Sequence, residues 1–399
     1  MYLNCHTYYS LNYGVLSETE LLELAQSHGV EVLALTDINN SSAGMSFVRM
    51  AHEQGIRPIL GIDFRNGNVQ EFVGLAQNNE GFREINAFLS EHLHKGTPIP
   101  TVAPIFEHVH VIYPFEKIQE EERTDFRAYE YIGVSVEELR KLRFSRYRDF
   151  KDRLVLLQPV TFRNIKDFNT HRLLRAIGLN TLLSKLPQSE EARPTDTLRP
   201  MEELKKALAD VPHIWENTQR LMDSCSIAFG FGSDRVSQNQ SRFLESKQAD
   251  VERLRELALD GLPRRYAHPT EKVRERMFRE LRTIQELDFV SYFLINHDIV
   301  SYAKSKGYPY VGRGSGANSL VAYLIGITDV DPIELDLYFE RFINPFRASP
   351  PDFDIDFSTW DRDDVTAYIF KRFGHVALLG TYNTFKYRAA VRELGKVFG

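Results

Sequence analysis

Two cysteines in 399 residues, Cys5 and Cys225, lie too far apart to suggest a disulfide framework, and no Cys-x-x-Cys spacing offers a structural zinc site. Both read as small core hydrophobes. No run of about 18 apolar residues occurs. The N-terminus, MYLNCHTYYS, lacks the basic stretch and apolar run of a secretory signal, so no membrane association and a cytoplasmic location are expected. Positive charge is also in deficit, with 49 Lys and Arg against 55 Asp and Glu and a formal net charge of -6. That balance excludes a surface that binds nucleic acid throughout and leaves the matter to local clefts. There is no internal repeat and no low-complexity tract. What the chain does have is length for two or three domains and 43% hydrophobic residues, enough for a large core.

The first 65 residues alternate helix and strand patterns. ETELLELAQSHG reads as an amphipathic helix ending at Gly29, EVLALTD as a buried strand, SFVRMAHEQG as a second helix and RPILGIDF as another strand. That rhythm, which recurs at EHVHVIYPF and DRLVLLQPV, predicts a parallel α/β layer or barrel. PQSEEARPTDTLRP, 187 to 200, is rich in Pro, Ser, Thr and acids and reads as an exposed linker near a domain boundary. MEELKKALAD and PHIWENTQRLMDSC then read as helices, the second with Pro212 in its first turn, and charged helical patterns fill residues 250 to 305.

Motifs are densest in the last hundred residues. PPDFDIDF sets Asp352, Asp354 and Asp356 at every second position with Phe353, Ile355 and Phe357 between them. On a strand the three carboxylates share one face. Unpartnered, they raise one another's pKa, and a divalent cation is the usual remedy. The same alternation fits a solvated acidic edge strand. Upstream, GYPYVGRGSGANSLVAYLIGI offers Gly312, Gly314 and Gly316 in a loop that carries Arg313 and Ser315, followed by Ser319 and a helix. Exposed amides before a helix can cradle phosphate, although a glycine-rich turn can also simply punctuate the chain. Together the two motifs supply what nucleotidyl transfer requires, a phosphate cradle and a site for two magnesium ions. Arg341 and Arg347, around NPF, are placed for bidentate phosphate contacts or for ion pairs with Glu334, Asp336 or Glu340.

GRGSGANSLVAYLIGITDVDPIELDLYFERFINP followed by PPDFDIDF closely resembles the palm of the alpha-subunit family of bacterial DNA polymerase III, the C family of DNA polymerases. The resemblance continues upstream through RELRTIQELDFVSYFLINHDIVSYAKSKG and downstream through RDDVTAYIFKRFG and TYNTFKYRAAVRELGKVFG. It implies an α/β chain with a PHP-type (β/α)7 barrel over 1–200, a helical connecting segment over 201–285, and a polymerase-beta-like nucleotidyltransferase palm, α+β, over 286–399. By the same resemblance Asp352 and Asp354 are the catalytic carboxylates that bind Mg2+, with the role of Asp356 open. Arg313, Gly314, Ser315 and Arg341 match positions at the incoming nucleotide's phosphates. The implied partners are primer-template DNA and dNTP, with a sliding clamp and a proofreading exonuclease subunit in the full-length protein. In this family a third catalytic aspartate lies well downstream, before the fingers. The palm is therefore expected to be incomplete at the C-terminus, and the fragment inactive in primer extension.

The same resemblance places metal-ligand motifs at LNCHTYYSLNYG, EVLALTDINN and RPILGIDF. Their ligands are poorly kept. Asn4 and His6 stand where the family has His-x-His, Asp37 is followed by Ile38 in place of histidine, and Asp63 replaces glutamate. Pro159 and Thr161 occupy positions that normally supply an Asp and a His. His6, Asp37 and Asp63 are too few for a di- or trinuclear phosphoesterase centre, so a structural barrel without metal is expected. The alternatives are a working phosphoesterase or 3′-5′ exonuclease in the barrel, and a non-catalytic module that binds a proofreading subunit. His108 and His110 could pair on one strand face or be ordinary strand-end residues. RKLRFSRYRDFKDR carries seven basic residues, with Phe144, Tyr147 and Phe150 at helical spacing, which predicts a half-buried helix. Arg388, Arg392 and Lys396 lie four apart on one face of a terminal helix, suited to phosphates. His171, His268, His297 and His375 read as structural or surface residues.

Overall fold

The computed structural model describes residues 1–231, 242–344 and 352–399. Its contacts divide the chain into two units, Met1–Arg235 with Asn383–Gly399, and Val236–Tyr382.

In the first unit the chain runs β1 (Asn4–Cys5), α1 (Glu18–Ser27), β2 (Val32–Leu35), α2 (Gly44–Glu53), β3 (Arg57–Asn66), β4 (Val69–Ala76), α3 (Asn79–Lys95), β5 (Val109–Pro114), α4 (Phe115–Glu120), β6 (Glu130–Val134), α5 (Leu139–Arg143), β7 (Leu154–Leu156), β8 (Pro159–Val160), α6 (Ile165–Gly178), α7 (Met201–Ala207) and α8 (Pro212–Asp223). The early elements form as their patterns require. Ser17 caps α1 in a reciprocal capping box with Glu20, and Leu21, Leu22 and Ala25 bury one face of that helix beneath the sheet. Six strands make one sheet in the order β2-β3-β4-β5-β6-β7, and a second parallel pair joins β1 to β8. Backbone bonds from Ala34 to the Tyr2 carbonyl and from Thr36 to the Cys5 carbonyl carry the wall on from β2 to β1. This is the mixed α/β architecture expected, with one departure from parallel alternation. β4 runs antiparallel to both β3 and β5. The turn responsible is Gly67–Asn68, with Gly67 at φ 60°, a hairpin closed by glycine in the left-handed region.

Two stretches differ from expectation. Residues 187–200 are tied down: the Asp196 carbonyl accepts the amides of Thr161 and Phe162, and Ala192, Asp196 and Leu198 are buried. Their polar composition misleads because backbone groups, rather than apolar side chains, fasten the segment. The basic stretch 140–153 is not one helix but α5 followed by two single turns, so Tyr147 is buried while Phe144 is 82% exposed.

The second unit contains α9 (Lys247–Arg265), α10 (Glu271–Glu286), α11 (Val290–Ser305), β9 (Tyr310–Arg313), α12 (Leu320–Leu324), β10 (Asp354–Phe357) and α13 (Arg362–Arg372). Its core gathers Leu254, Met277, Ile284, Phe293, Leu320 and Phe342. α14 (Tyr387–Phe398) returns to the first unit, where it packs on α6.

Candidate active site

β9 and β10 pair antiparallel, with Asp354 opposite Arg313 and Asp356 opposite Val311. The pairing carries DFDIDF, from Asp352 onward, across the start of the glycine turn. A Cβ on Gly314, whose φ is +74°, would lie 2.4 Å from Asp354 Oδ2. Only glycine therefore lets the carboxylate come this close to the backbone. Ser315 donates from Oγ to Asp352 Oδ1 at 3.3 Å. Asp352 and Asp354 thus both reach the Gly314–Ser315 turn, and Asp356 is drawn elsewhere. Arg313 donates to its carboxylate from Nε at 2.5 Å, and an Arg313 nitrogen lies 3.5 Å from Asp354 Oδ2. The crowding of three acids is relieved in part by one arginine on the neighbouring strand. Their neighbour Asp356 raises the charge-assisted proton affinity of Arg313 further. Arg341 is exposed in a short turn that packs against the glycine turn and makes no ion pair among the described residues. Arg347 lies outside the described residues.

The turn is held from below by a buried pair that sequence reading passes over. Glu280 of α10, fully buried, accepts from Arg276 Nε at 2.9 Å, Ser319 Oγ at 3.0 Å and the Val321 amide at 3.1 Å. Arg276 also donates to the Asn318 carbonyl at 2.9 Å. Burial pushes the Glu280 carboxyl up, opposed by the Arg276 bond and charge. A signal was present: Val273, Met277, Glu280 and Ile284 form the buried stripe of α10, and an acid in an apolar stripe needs a partner.

In the first unit His6 and Asp37 are buried just after β1 and β2, and Asp63 is buried within β3. His6 Nε2 lies 3.0 Å from Asp63 Oδ2 and Nδ1 lies 3.0 Å from Thr161 Oγ1. The carboxylate can only accept, so Nε2–H donates to Asp63. Asp37 accepts from the Thr7 amide, the Thr7 hydroxyl and the Ser10 hydroxyl at 2.6 to 2.7 Å. Burial pushes its carboxyl up against these bonds. Arg65 donates to Asp63 Oδ2 from Nη2 at 2.6 Å and Nε at 3.0 Å, with its guanidinium 4.9 Å from the Tyr13 ring centre. Burial alone would raise Asp63, but the Arg65 charge and the His6 bond hold it at about 2. His6, Asp37 and Asp63 Oδ2 are so engaged, with a guanidinium already against the central carboxylate, while Asp63 Oδ1 is buried without a hydrogen-bond partner among the described residues. Arg65 and the buried Asp196, whose carboxyl burial pushes up to about 7, are further polar groups of this region that sequence reading omits.

A family model described as the bacterial DNA polymerase III alpha NTPase domain matches residues 252–399, and one described as the PHP domain matches residues 3–131. Curated relatives align over the whole chain: DNA polymerase III subunit alpha of Escherichia coli strain K12, 30% identical, and that of Bacillus subtilis strain 168, also 30% identical. Along its whole length the chain is similar to the DNA polymerase III alpha family. It spans about two fifths of these relatives, 38% of each. An error-prone DNA polymerase of Symbiobacterium thermophilum is likewise 30% identical over the whole chain, which covers 41% of it.

The oxygen donors of exposed Asp352 and half-buried Asp354 fit a hard cation. Other candidate residues are distributed differently. His110 bonds Ser224 Oγ at 2.7 Å, and burial holds its ring at about 4. His108 instead groups with Glu84 and Glu107. The two histidines therefore face different neighbours. His171 is structural, bonded to the Tyr13 carbonyl and accepting the Ala192 amide. Arg392 and Lys396 of α14 pair with Glu393, and that helix belongs to the first unit. No described helix is long and apolar enough to cross a membrane.

Proposed function

We propose that residues 286–399 carry the palm of a DNA-directed DNA polymerase of bacterial chromosome replication, which adds dNTPs to a primer 3′-hydroxyl by two-metal nucleotidyl transfer. The supporting observation is the approach of Asp352 and Asp354 to one glycine turn across the β9–β10 ladder. Magnesium ions bound there would activate the hydroxyl and neutralise the triphosphate. The chain's own residues bind and orient. Gly314 and Ser315 present the turn to phosphate oxygens, Arg341 contributes a further charge, and Arg313 exchanges Asp356 for the triphosphate. Residues 201–285 connect this palm to a structural barrel over 1–200. Primer-template DNA is the substrate, with a clamp and a proofreading subunit as partners of the full-length polymerase. The two carboxylates support nucleotide binding by this chain rather than primer extension.

Calorimetry of Mg2+ with dATP tests the palm. Asp352→Ala and Asp354→Ala are each expected to weaken metal-nucleotide binding by at least about tenfold, since even outer-shell partners of a metal are worth roughly 10- to 100-fold. Absence of binding by the unmodified chain would refute the assignment. Metal analysis tests the barrel, where far less than one zinc or manganese per chain is expected. Near-stoichiometric metal retained by the Asp352→Ala, Asp354→Ala double variant would establish a working phosphoesterase centre instead.

A further inference from the structure

Phe353 sits between the two proposed metal-binding aspartates and is gripped from several sides. Its ring stacks on Tyr292 of α11 with centroids 5.4 Å apart and planes at 24°. It meets Phe293 edge-on at 5.1 Å and Phe342 at 4.9 Å. Across the glycine turn, a Cβ on Gly316 would come within 2.4 Å of the ring. The backbone is held as well. The β9–β10 register begins at Asp354, and one residue earlier the Phe353 amide donates to the Tyr292 hydroxyl at 2.8 Å. Tyr292 therefore supplies the acceptor that the ladder does not.

Asp352 and Asp354 are the immediate neighbours of Phe353, so any slide or rotation of its peptide moves both carboxylates relative to Gly314 and Ser315. We propose that Tyr292 is a positioning residue for nucleotidyl transfer: its hydroxyl fixes the Phe353 peptide and thereby holds both acids against the glycine turn. Stacking alone leaves rotation about the strand axis free; a hydrogen bond to the amide removes it. Burial pushes the Tyr292 hydroxyl up, as do the Asp352 and Asp354 charges, so it remains protonated at neutral pH. The inference rests on Asp352 and Asp354 as the metal-binding pair.

Tyr292→Phe keeps the ring and removes only the hydroxyl. Mn2+ binding in the presence of dATP, followed by electron paramagnetic resonance, is compared for the 399-residue chain, Tyr292→Phe and Asp354→Ala. Tyr292→Phe is expected to weaken Mn2+ affinity about three- to tenfold, the equivalent of one hydrogen bond, at unchanged stoichiometry. Damage to the fold alone would lower the number of sites and leave the affinity of the remainder intact, which would overturn the proposal. So would wild-type affinity in Tyr292→Phe while Asp354→Ala abolishes binding, and in that case the palm assignment would stand. No Mn2+ binding by the unmodified chain would overturn both.

Discussion

Arg65→Met should destabilise the first unit by roughly 3–5 kcal/mol, the range for stripping one partner from a buried ion pair. Asp63 has no exposed side-chain surface and Arg65 has 8%, so water cannot take over the lost contacts. The stranded carboxylate would keep the His6 bond, which does not replace two guanidinium donors. Replacing both residues, as Asp63→Leu with Arg65→Met, should recover much of the loss, because no uncompensated charge then remains. Denaturant unfolding followed by a first-unit probe such as the Trp215 fluorescence measures both. The pH dependence has a definite sign. Asp63 titrates lower in the folded chain, about 2, than in the unfolded one, near 3.8. Its contribution is therefore full above about pH 4 and disappears as pH falls toward 2. Arg65→Met should flatten that acid limb, and an unchanged limb would show that Arg65 does not hold the carboxylate ionised.

Glu280→Ala should be as severe in the second unit, again roughly 3–5 kcal/mol. The change strands Arg276, whose side chain is 13% exposed, and frees the Ser319 hydroxyl and the Val321 amide at the start of α12. Because Arg276 also holds the Asn318 carbonyl, the end of the glycine turn should loosen with it. Hydrogen exchange at Ser319 to Val321 is the local measurement. Fast exchange there in Glu280→Ala, with Glu280→Gln intermediate, is the expected order. Equal protection in all three proteins would mean that the turn is held by something else.

These two pairs mark where sequence reading succeeds and where it stops. DIDF and GRGSGANS were legible as a strand and a turn because alternation and glycine spacing are local properties; the ladder pairs Asp354 with Arg313 but begins there, leaving Asp352 ahead of the strand rather than on its face. The antiparallel β4 was signalled by Asn66–Gly67 but masked by the βα rhythm around it. Arg65 eluded the reading for a different reason. Counting absent ligands does not reveal what neutralises the remaining acid; that depends on a side chain two residues along the same strand folding back on its neighbour. Residues 187–200 are fastened through main-chain atoms, which composition does not encode.

The first unit is assembled from two separate parts of the chain, since the segment from Asn383 onward joins Met1–Arg235. A ribosome must therefore finish roughly 150 intervening residues before α14 can meet α6. Closing so long a loop is entropically slow, and that docking should be among the last steps of maturation. The six-stranded sheet, whose strands pair with near neighbours in sequence, has no reason to wait.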